Sequence, residues 1–388
     1  MTERLYDNGH CADFSATVLD CIPEKNGFAL RLDRTAFFPG GGGQAADCGN
    51  LGSLPVRGMR EENGELWHLV DSPLPIGSTV EGKIDTELRL RRMQNHSGEH
   101  IISGLLWREH GLTNVGFHMG HEDVTLDLDG ELTRDQLDRI EQMANCIVAQ
   151  NLPISVHYPA PDQLDTLEYR SKLDLRENVR IVSIGEEGSV DRCACCAPHV
   201  ARTGEIGIIK LLDFIRYKGG IRIHMLCGLD ALEDYRRRYH AVASIAASLS
   251  AKQHEVVEAV ARLGDEIGAG KARQSALCSR LIELHLAALD GDADSPAVVF
   301  EPLFGANELR YLVNSALAHT ETAIALSGND VDGYTYVLGS RNDCRPLSAA
   351  MHEELGGKGG GSAEMVRGKL PTSRDRILRF FSAPTAQK

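Results

Sequence analysis

The chain has 388 residues, of which 42% are hydrophobic and 25% are charged, and its formal net charge at pH 7 is −14. This length exceeds what one small hydrophobic core serves, so two or three domains are expected in a protein of ordinary globular composition. The negative charge argues against a surface built largely for nucleic acids, the 5% of aromatic residues argues against a platform that stacks many bases, and no apolar run is long enough to span a bilayer.

Residues 1–90 are predicted to form short strands joined by turns. The strand candidates are residues 17–19, 28–32 and 66–70, which lie between clusters of glycine, proline and asparagine. Strands at this spacing predict a small β-barrel or a sandwich at the N terminus.

Helical periodicity begins at Glu87, because apolar residues then recur at helical spacing as far as Leu106. A strand is predicted at residues 124–128 and a second helix at 133–150. Beyond these elements, short apolar runs alternate with turns. The runs are residues 180–185, 206–210 and 221–223. Together these elements predict a two-layer α/β core over residues 91–228.

Residues 229–289 are rich in Ala, Leu, Glu, Arg and Lys, which is typical of long helices. The glycines in 264–270 are predicted to break this arm into a helical hairpin. A linker is predicted at 290–296, and a third unit opens at 297–300. The fold class is therefore α+β, and the predicted segments are a barrel at 1–90, a core at 91–228, an arm at 229–289 and a C-terminal α/β domain at 290–388.

Two motifs nearly a hundred residues apart offer metal ligands. His96 and His100 stand at positions i and i+4, which share one face of a helix, while Cys195 and His199 repeat that spacing as C-x-x-x-H. Three imidazoles and a thiolate are a normal ligand set for one zinc ion per chain, and they predict a metal-dependent hydrolase. If all four residues bind, the site is closed; if one is loose, a water molecule is activated there.

Metal-bound imidazoles usually donate their other N–H group to an acceptor. The sequence offers Glu99, Asp127 and Glu186 as candidates for these acceptors.

The first motif also fits a different enzyme class. Residues 96–100 match the H-x-x-E-H pattern of inverted zinc peptidases, in which Glu99 would be the general base. A third ligand would then be Glu186 or Glu187. We rank this alternative second, because it gives Cys195 and His199 no role.

A run of four glycines, residues 40–43, precedes Gln44 and follows Thr35. Consecutive glycines let the backbone approach a ligand closely, although such a run is also typical of a flexible turn between strands.

Residues 356–388 hold seven basic and two acidic residues, which gives a tail of charge +5 on an acidic protein. The glycine-rich stretch within it, residues 356–362, favours an anion site.

These motifs resemble a known family. Residues 35–44 resemble the glycine-rich segment of alanyl-tRNA editing domains, residues 95–100 their first zinc motif, and residues 180–185, 195–200 and 203–207 their second zinc region. Residues 356–362 resemble the glycine-rich signature of the domain that ends alanyl-tRNA synthetases and many DHH phosphoesterases. Neither an aminoacylation region nor an Asp-His-His motif is found, so the chain resembles the long form of freestanding alanyl-tRNA editing proteins.

One motif departs from that pattern. Synthetases commonly have Cys-Gly-Gly-Thr-His where residues 195–199 of this chain read Cys-Cys-Ala-Pro-His. The spacing is intact, but Cys193 and Cys196 are extra thiols that compete with Cys195 as the ligand. Cys195 is preferred because it preserves C-x-x-x-H.

The resemblance implies ATP-independent hydrolysis of the ester that joins a wrong amino acid to the terminal adenosine of tRNA(Ala). Serine is the expected misacyl group and glycine the second candidate. Zinc would be held by His96, His100, Cys195 and His199; Thr35 would meet the serine hydroxyl, and Gln44, Gly42 and Gly43 would position the ester. The C-terminal domain would grip the tRNA through Lys358, Gly359, Gly360, Arg367, Lys369 and Arg374.

Two further expectations concern partners and compartment. The arm or the C-terminal domain is a candidate homodimer surface. The remaining alternative to a hydrolase is a zinc-bearing protein that binds tRNA without catalysis. Ten cysteines and an N terminus without the basic-then-apolar order of a signal peptide predict a cytoplasmic protein with reduced thiols and no membrane partner.

Overall fold

The structure is a computed structural model that describes residues 2–120, 123–164, 166–171, 179–289 and 295–382. No helix within these ranges is long and apolar enough to cross a membrane. Internal contacts divide the chain into two units, Met1–Ser244 and Ile245–Lys388. The predicted linker falls mostly on residues 290–294, which lie outside the described residues. The finer division into four segments stays a prediction.

The first unit begins with nine strands. They are β1 (Glu3–Arg4), β2 (Asp13–Glu24), β3 (Gly27–Leu32), β4 (Arg34–Thr35), β5 (Gly49–Leu51), β6 (Leu54–Val56), β7 (Gly58–Glu62), β8 (Glu65–Val70) and β9 (Thr79–Ile84). Seven of them form one antiparallel sheet in the order β6-β5-β9-β2-β3-β8-β7. The three predicted strands lie within β2, β3 and β8 and are confirmed.

This sheet is nearly closed on itself. Its two edge strands, β6 and β7, are separated in the chain by Arg57 alone, and the Arg57 N–H donates to the Leu69 carbonyl at 2.8 Å. The inner face carries alternate residues of each strand, as the period of two requires, and Val18, Leu30 and Leu32 are fully buried there. Where a small barrel or sandwich was predicted, the structure therefore has a curled, nearly closed sheet.

The rest of the first unit mixes helices and strands. The elements are α1 (Thr86–His110), β10 (Asn114–Met119), β11 (Val124–Leu128), α2 (Arg134–Gln150), β12 (Ile154–His157), α3 (Pro161–Leu164), β13 (Ile181–Ile184), β14 (Asp191–Ala194), β15 (Ile209–Tyr217), β16 (Gly220–Cys227) and α4 (Gly228–Ser248). An antiparallel sheet in the order β10-β11-β16-β15 carries α1 and α2 on its buried face, and β12-β13-β14 form a second antiparallel sheet.

Local signals explain the ends of these helices. The Asp85 carboxylate caps α1 by accepting the N–H of Leu88 at 3.0 Å, and α1 ends at Gly111, whose φ of 66° lies in the left-handed region. A capping box at Thr133 starts α2. The helices predicted from residue 87 and at 133–150, and the strands predicted at 124–128 and 180–185, are confirmed. The run predicted at 206–210 is instead the end of a 3-10 turn followed by the start of β15.

The second unit holds a mixed sheet between helices. Its elements are α5 (Val256–Ala287), β17 (Ala297–Phe300), α6 (Ala306–Ala316), β18 (Thr322–Asn329), β19 (Gly333–Ser340), α7 (Arg345–Leu355), β20 (Lys358–Gly361), β21 (Met365–Leu370) and α8 (Arg374–Ser382). The strand order is β17-β18-β19-β21-β20, with only β17 and β18 parallel among these strands. One face packs on α5 and α6 and the other on α7 and α8.

The predicted helix break at residues 264–270 is wrong. Helix α5 runs without interruption through Gly264, Gly268 and Gly270, where a Cβ atom would meet nothing within 4 Å. Glycine lowers helix stability by about 1 kcal/mol relative to alanine, which weakens a helix of 32 residues without ending it. The break lies earlier, between α4 and α5, where Ser250 has a φ of 50°.

The glycine-rich stretch near the C terminus contains a strand. Residues Lys358–Gly361 form β20, an exposed edge strand that pairs with β21. A Cβ atom at Gly359 would collide with the Arg367 carbonyl. These glycines therefore allow close approach of two backbones.

Candidate metal centre

Helix α1 brings the first two predicted ligands together. His96 and His100 are each 2% exposed and lie one turn apart, with ring centroids separated by 5.3 Å. The helix is buried along most of its length against α2 and strands β10, β14 and β16, so its polar residues face other protein groups. The predicted i, i+4 geometry is present.

The second pair follows β14 in the chain, in a segment without regular structure. Arg180 fixes this segment by donating to the carbonyls of Cys195 and Ala197, both at 2.8 Å, while the Arg180 carbonyl accepts the N–H of Cys195. On the other side, Gly9 lies so close to the carbonyl of His199 that a Cβ atom there would collide with it. These contacts hold the C-x-x-x-H segment against α1.

The four predicted ligands converge. Ring centroids of His199 lie 4.8 Å from His96 and 4.7 Å from His100. The Cys195 Sγ atom lies 3.5 Å from Nε2 of His96 and 3.3 Å from Nε2 of His199. One ligand atom from each of the four residues falls within 4.8 Å of every other. The group is therefore a possible metal site with the donor atoms that zinc prefers.

Each imidazole also has an outer partner for its second nitrogen. Nδ1 of His96 lies 2.9 Å from Oε1 of Gln44, Nδ1 of His100 lies 3.1 Å from Oδ2 of Asp191, and Nδ1 of His199 lies 3.0 Å from Oγ of Ser97.. These contacts leave Nε2 of each ring for the centre, which is the arrangement of metal-binding histidines.

Of the acceptors predicted from the sequence, Glu99 and Asp127 are engaged elsewhere, and that prediction is wrong. Glu99 accepts hydrogen bonds from Ser103 and, at 2.6 Å, from Asn114. Asp127 pairs with Arg222 across the neighbouring strand, at 2.6 Å. Glu186, the third candidate, lies in a 3-10 turn after β13 and is exposed.

The charges around the group suit a cation. Burial opposes ionisation of the Cys195 thiol, but the imidazoles of His96 and His199 hold its pKa well below its usual range. Burial lowers the pKa of His199 to about 3, so that ring is neutral. Thiolate sulfur and neutral imidazole are the forms in which these side chains bind zinc.

Negative charge gathers behind His100. Burial alone would lower the pKa of His100, but the neighbouring Cys193 and Asp191 raise it well above its usual value. Burial would raise the pKa of Asp191, but Arg170, which donates to its two oxygens at 2.7 and 2.8 Å, holds that pKa low. A site that draws a proton onto a buried imidazole is one in which a divalent cation is electrostatically favoured.

The structure separates the three competing thiols. Cys195 groups with the three histidines, whereas Cys193 groups with His100 and Asp191, where burial raises the Cys193 pKa to about 11. Cys196 is exposed and points to the glycine run, since a Cβ atom at Gly41 would lie 3.5 Å from its Sγ. The geometry therefore places Cys195 with the histidines, as its spacing suggested.

The predicted glycine segment is a tight turn beside this group. Gly41 and Gln44 exchange two backbone hydrogen bonds, and Gly42 and Gly43 between them have φ values of 58° and 87°. Two consecutive positive φ values are the pattern of a type I′ turn, which favours glycine. A Cβ atom at Gly43 would lie 2.6 Å from Phe117, and the Gly43 carbonyl accepts the Met119 N–H at 3.1 Å. The turn is thus fixed against the edge of β10.

Gln44 links the turn to the candidate centre. Its side chain is 3% exposed, and its carbonyl oxygen bonds to His96 as described. Its amide nitrogen is buried and has no hydrogen-bond partner among the described residues. A buried amide donor beside a metal-binding group is available to a substrate oxygen.

Thr35 lies in β4, which pairs with β1, and its side chain contacts His68 of the curled sheet. The side chain is fully buried, its Oγ1 atom is 2.7 Å from Nε2 of His68, and it accepts the Phe37 N–H at 3.1 Å. Burial lowers the pKa of His68 to about 4, so the ring is neutral, and its Nδ1 donates to the carbonyl of Leu30 at 3.1 Å. Thr35 is therefore held against the curled sheet by its bond to His68. Among the described residues, it makes no hydrogen bond to any of the four ligands.

The peptidase alternative finds no support in this geometry. The hydrogen bonds of Glu99 to Ser103 and Asn114 commit its carboxylate to the protein core, and it belongs to neither metal-binding group found in the described part of the chain. Glu187, like Glu186, lies in the 3-10 turn after β13, and neither residue joins those groups. The general base and the third ligand that the pattern requires are therefore not in place.

The predicted basic residues of the second unit fall into two places. Lys358 pairs in register with Lys369, and Gly360 pairs with Arg367, so the three cations share the face of the sheet that carries Val337. All three are exposed. Gly359 alternates with them on the opposite face, near the Tyr336 hydroxyl.

Arg374 does not join these cations. Its guanidinium lies 4.7 Å from the centre of the Phe300 ring, and its N–H donates to Asp330 at 2.7 Å. These contacts place it at the start of α8, on the α7 and α8 side of the sheet.

Comparison with known proteins gives one family model and several relatives. Residues 179–224 match the family described as the threonyl and alanyl tRNA synthetase second additional domain. This segment contains Cys195 and His199. An alanine–tRNA ligase from Halorubrum lacusprofundi is 30% identical over 93% of this chain, and the chain spans only 40% of that ligase.

Other relatives match this chain over most of their own length. The alanyl-tRNA editing protein AlaX-L from Pyrococcus horikoshii is 26% identical over 97% of this chain and 97% of its own length. The alanyl-tRNA editing protein Aarsd1 from Mus musculus is 27% identical over 93% of this chain and 92% of its own length. The family resemblance predicted from the motifs is confirmed.

Proposed function

We propose that this chain, a homologue of the alanyl-tRNA editing proteins over nearly its whole length, hydrolyses the ester between a wrong amino acid and the 3′-terminal adenosine of tRNA(Ala). One observation carries the proposal. A group of three buried imidazoles and one half-buried thiolate lies one hydrogen bond away from the glycine turn, through His96 and Gln44. The pairing of a metal-binding group with a close-approach turn suits ester hydrolysis better than a purely structural metal site.

Zinc is the metal we propose for His96, His100, Cys195 and His199, one ion per chain. The donor chemistry fits, since sulfur and imidazole nitrogen are zinc ligands and each ring has its outer partner. Zinc bound there would supply Lewis-acid polarisation to the ester or to water.

Residues of the chain itself would bind the acyl carbonyl oxygen and admit the terminal ribose. The free amide N–H of Gln44 would donate to the acyl carbonyl oxygen, where negative charge develops. Gly42 and Gly43 carry no side chains, so the terminal ribose can approach the turn closely.

Serine is the proposed misacyl group, with glycine as the second candidate. A synthetic site sized for alanine excludes a slightly different small side chain poorly, so a second hydrolytic site is needed. Thr35 is the proposed partner of the serine hydroxyl. It donates to neutral His68 and accepts from Phe37, which leaves one lone pair of its hydroxyl oxygen for a substrate donor. Alanine would leave that lone pair unmatched.

We extend the proposal to the tRNA body. Lys358, Arg367 and Lys369 continue the sheet face that α6 covers at Val337, and no helix of the described residues packs over them. Like charges directly opposite each other repel unless an anion lies between them. A phosphate over Gly360, where an added Cβ would meet nothing within 4 Å, would relieve that repulsion.

The test is deacylation by the purified chain. Seryl-tRNA(Ala) should be hydrolysed, alanyl-tRNA(Ala) spared, and glycyl-tRNA(Ala) compared in the same assay, with zinc content measured by atomic emission. Binding of tRNA with stoichiometric zinc and no turnover would overturn the proposal in favour of a zinc-bearing tRNA binder.

A further inference from the structure

A large cavity in the first unit has no role in the proposed hydrolysis. It measures about 700 Å³ and is walled by α1, by α4 and by four residues near the facing ends of β10 and β11, namely Met119, Gly120, Asp123 and Val124. Ligand cavities are usually about 300–1,000 Å³, so this one is large enough for one or two nucleotides. Three apolar side chains of its lining, Leu88, Val124 and Leu226, are called its apolar floor, and most of the other lining residues are polar or charged.

The cavity lies next to the candidate metal centre. Ala45, on its rim, directly follows Gln44, and Asn95, in its wall, directly precedes His96. A third element makes the same connection, since the N–H of Met119, a lining residue, donates to the carbonyl of Gly43. If the last nucleotide of an RNA strand lies at the metal-binding group, the nucleotide before it therefore lies at this cavity.

Most charges in the cavity are already paired. Arg91 donates to Asp230 at 2.5 Å and to Glu233 at 3.2 Å, and Asn95 donates to the second oxygen of Asp230 at 2.6 Å. Arg92 is different. Within the described part of the chain, its guanidinium makes one hydrogen bond, from Nη1 to the Ala46 carbonyl at 2.8 Å. Since a guanidinium has five N–H donors, Arg92 keeps donors for a ligand in the cavity.

We propose that this cavity is the subsite for the cytidine that precedes the terminal adenosine of the tRNA, and that Arg92 reads its base; the inference rests on the proposed function. Every tRNA ends in the single-stranded sequence CCA, and proteins read single-stranded RNA by packing a base on an apolar surface and bonding to its Watson–Crick edge. The apolar floor supplies the first contact. The free donors of Arg92 match O2 and N3 of cytosine, both of which are acceptors.

The lining favours a base over a phosphate. The cavity contains three arginines and four carboxylates, Asp123, Asp230, Glu233 and Asp234, so its charge balance does not attract a phosphodiester. Glu233, whose side chain is 72% exposed and is bonded to Arg91 through only one oxygen, would accept from the exocyclic amine of cytosine. Uracil presents a donor at N3 and a carbonyl at C4, so it would oppose Arg92 and lose the carboxylate contact.

A thermodynamic cycle tests the inference without requiring catalysis. The probe is an RNA hairpin without an attached amino acid. It has a 5′ fluorophore and a single-stranded 3′ end, either CCA or CUA, and its binding is measured by fluorescence anisotropy. For the natural chain, the change from CCA to CUA should weaken binding about tenfold, the scale of one lost bidentate base contact. In Arg92→Gln, the same change should alter binding less than twofold.

Two further variants guard against trivial results. Arg139→Gln makes the same change at an exposed position of α2, outside the cavity, and should keep the full tenfold preference. Ala45→Leu narrows the exposed rim, leaves Arg92 in place and should also abolish the preference. Zinc content and thermal unfolding of each variant should equal those of the natural chain.

The outcomes separate this inference from the proposed function. Equal preference for CCA in the natural chain and in Arg92→Gln overturns the subsite, as does no preference in either, even if seryl-tRNA(Ala) is hydrolysed. If the natural chain binds the hairpins but hydrolyses no seryl-tRNA(Ala), the proposed function fails, while the cycle still decides whether the cavity reads cytidine.

Discussion

Gln44 and His96 are 52 residues apart in the chain, yet Oε1 of Gln44 lies 2.9 Å from Nδ1 of His96. This contact joins the glycine turn between β4 and β5 to the helix that carries the metal-binding histidines. The same amide keeps its nitrogen buried and without a hydrogen-bond partner among the described residues. One side chain therefore orients a ligand with its oxygen and offers a donor with its nitrogen, and the two roles can be separated by substitution.

Gln44→Glu and Gln44→Ala should have different effects. Glutamate keeps an acceptor for His96 but removes the amide donor, so we expect normal zinc affinity and a kcat for seryl-tRNA(Ala) lowered by about 100-fold, the scale of one lost oxyanion donor. Alanine removes both groups and should also weaken zinc binding about 10-fold to 100-fold. Competition with a chelating dye measures the affinity. Equal loss of zinc in both variants would contradict the separation.

Much of this site could be predicted from the sequence, and the limits have physical reasons. The positions of His96 and His100 follow from helical geometry, which is local. The partners Asp191 and Ser97 did not follow, because which acceptor meets each ring depends on how β14 and the C-x-x-x-H segment pack on α1. Glu99 was mistaken for such an acceptor, since the sequence does not show that Asn114 binds it.

The fold shows the same division between local and long-range information. Apolar periodicity places the ends of α1 and α2 within a few residues. The predicted break at the glycines of α5 is wrong because it rests on local propensity alone. Gly264 disfavours a helix, but α5 continues through it.

Serine substitutions should identify the thiolate ligand. Cys195→Ser should lose most bound zinc, because the group loses its only sulfur donor among the four converging residues. Cys196→Ser, at an exposed position, should retain one zinc ion per chain and near-normal deacylation. Emission spectrometry after gel filtration gives the metal content. Retention of zinc by Cys195→Ser together with its loss in Cys193→Ser would move the centre to the group of His100, Asp191 and Cys193.

Gly264→Ala should stabilise the second unit. The position is helical and exposed, and an added Cβ meets nothing within 4 Å, so alanine should raise the free energy of unfolding by about 0.5–1 kcal/mol. Urea denaturation followed by circular dichroism measures the change. Gly43→Ala is the contrast, because its φ of 87° and its contact with Phe117 make a side chain costly there. A stabilised Gly43→Ala or a destabilised Gly264→Ala would contradict the assignment of these glycines.

The buried pair of Thr35 and His68 should make the first unit sensitive to acid. The pKa of His68 is about 4 in the folded chain and near 6.5 when unfolded, so the unfolded state binds more protons between these values. Stability therefore falls as the pH drops from 6.5 towards 4, by about 3 kcal/mol in total from this residue. His68→Gln should flatten that part of the profile, while exposed His240→Gln should not. Urea unfolding at pH 7, 6, 5 and 4 checks this, and parallel profiles for all three proteins would refute it.

Salt dependence should reveal whether the exposed cations of β20 and β21 bind phosphate. Lys369 lies opposite Lys358 with Arg367 beside it on the same face, so each should neutralise phosphate and release counterions when tRNA binds. Lys369→Gln should weaken binding of tRNA(Ala) and reduce the slope of log Kd against log salt concentration by about 1. Arg374→Gln is the matched control, because its guanidinium packs on Phe300 at the other face of the sheet. It should change neither quantity appreciably. An unchanged slope in Lys369→Gln would mean that this face meets no phosphate, and the proposed tRNA grip would have to lie on another surface of the chain.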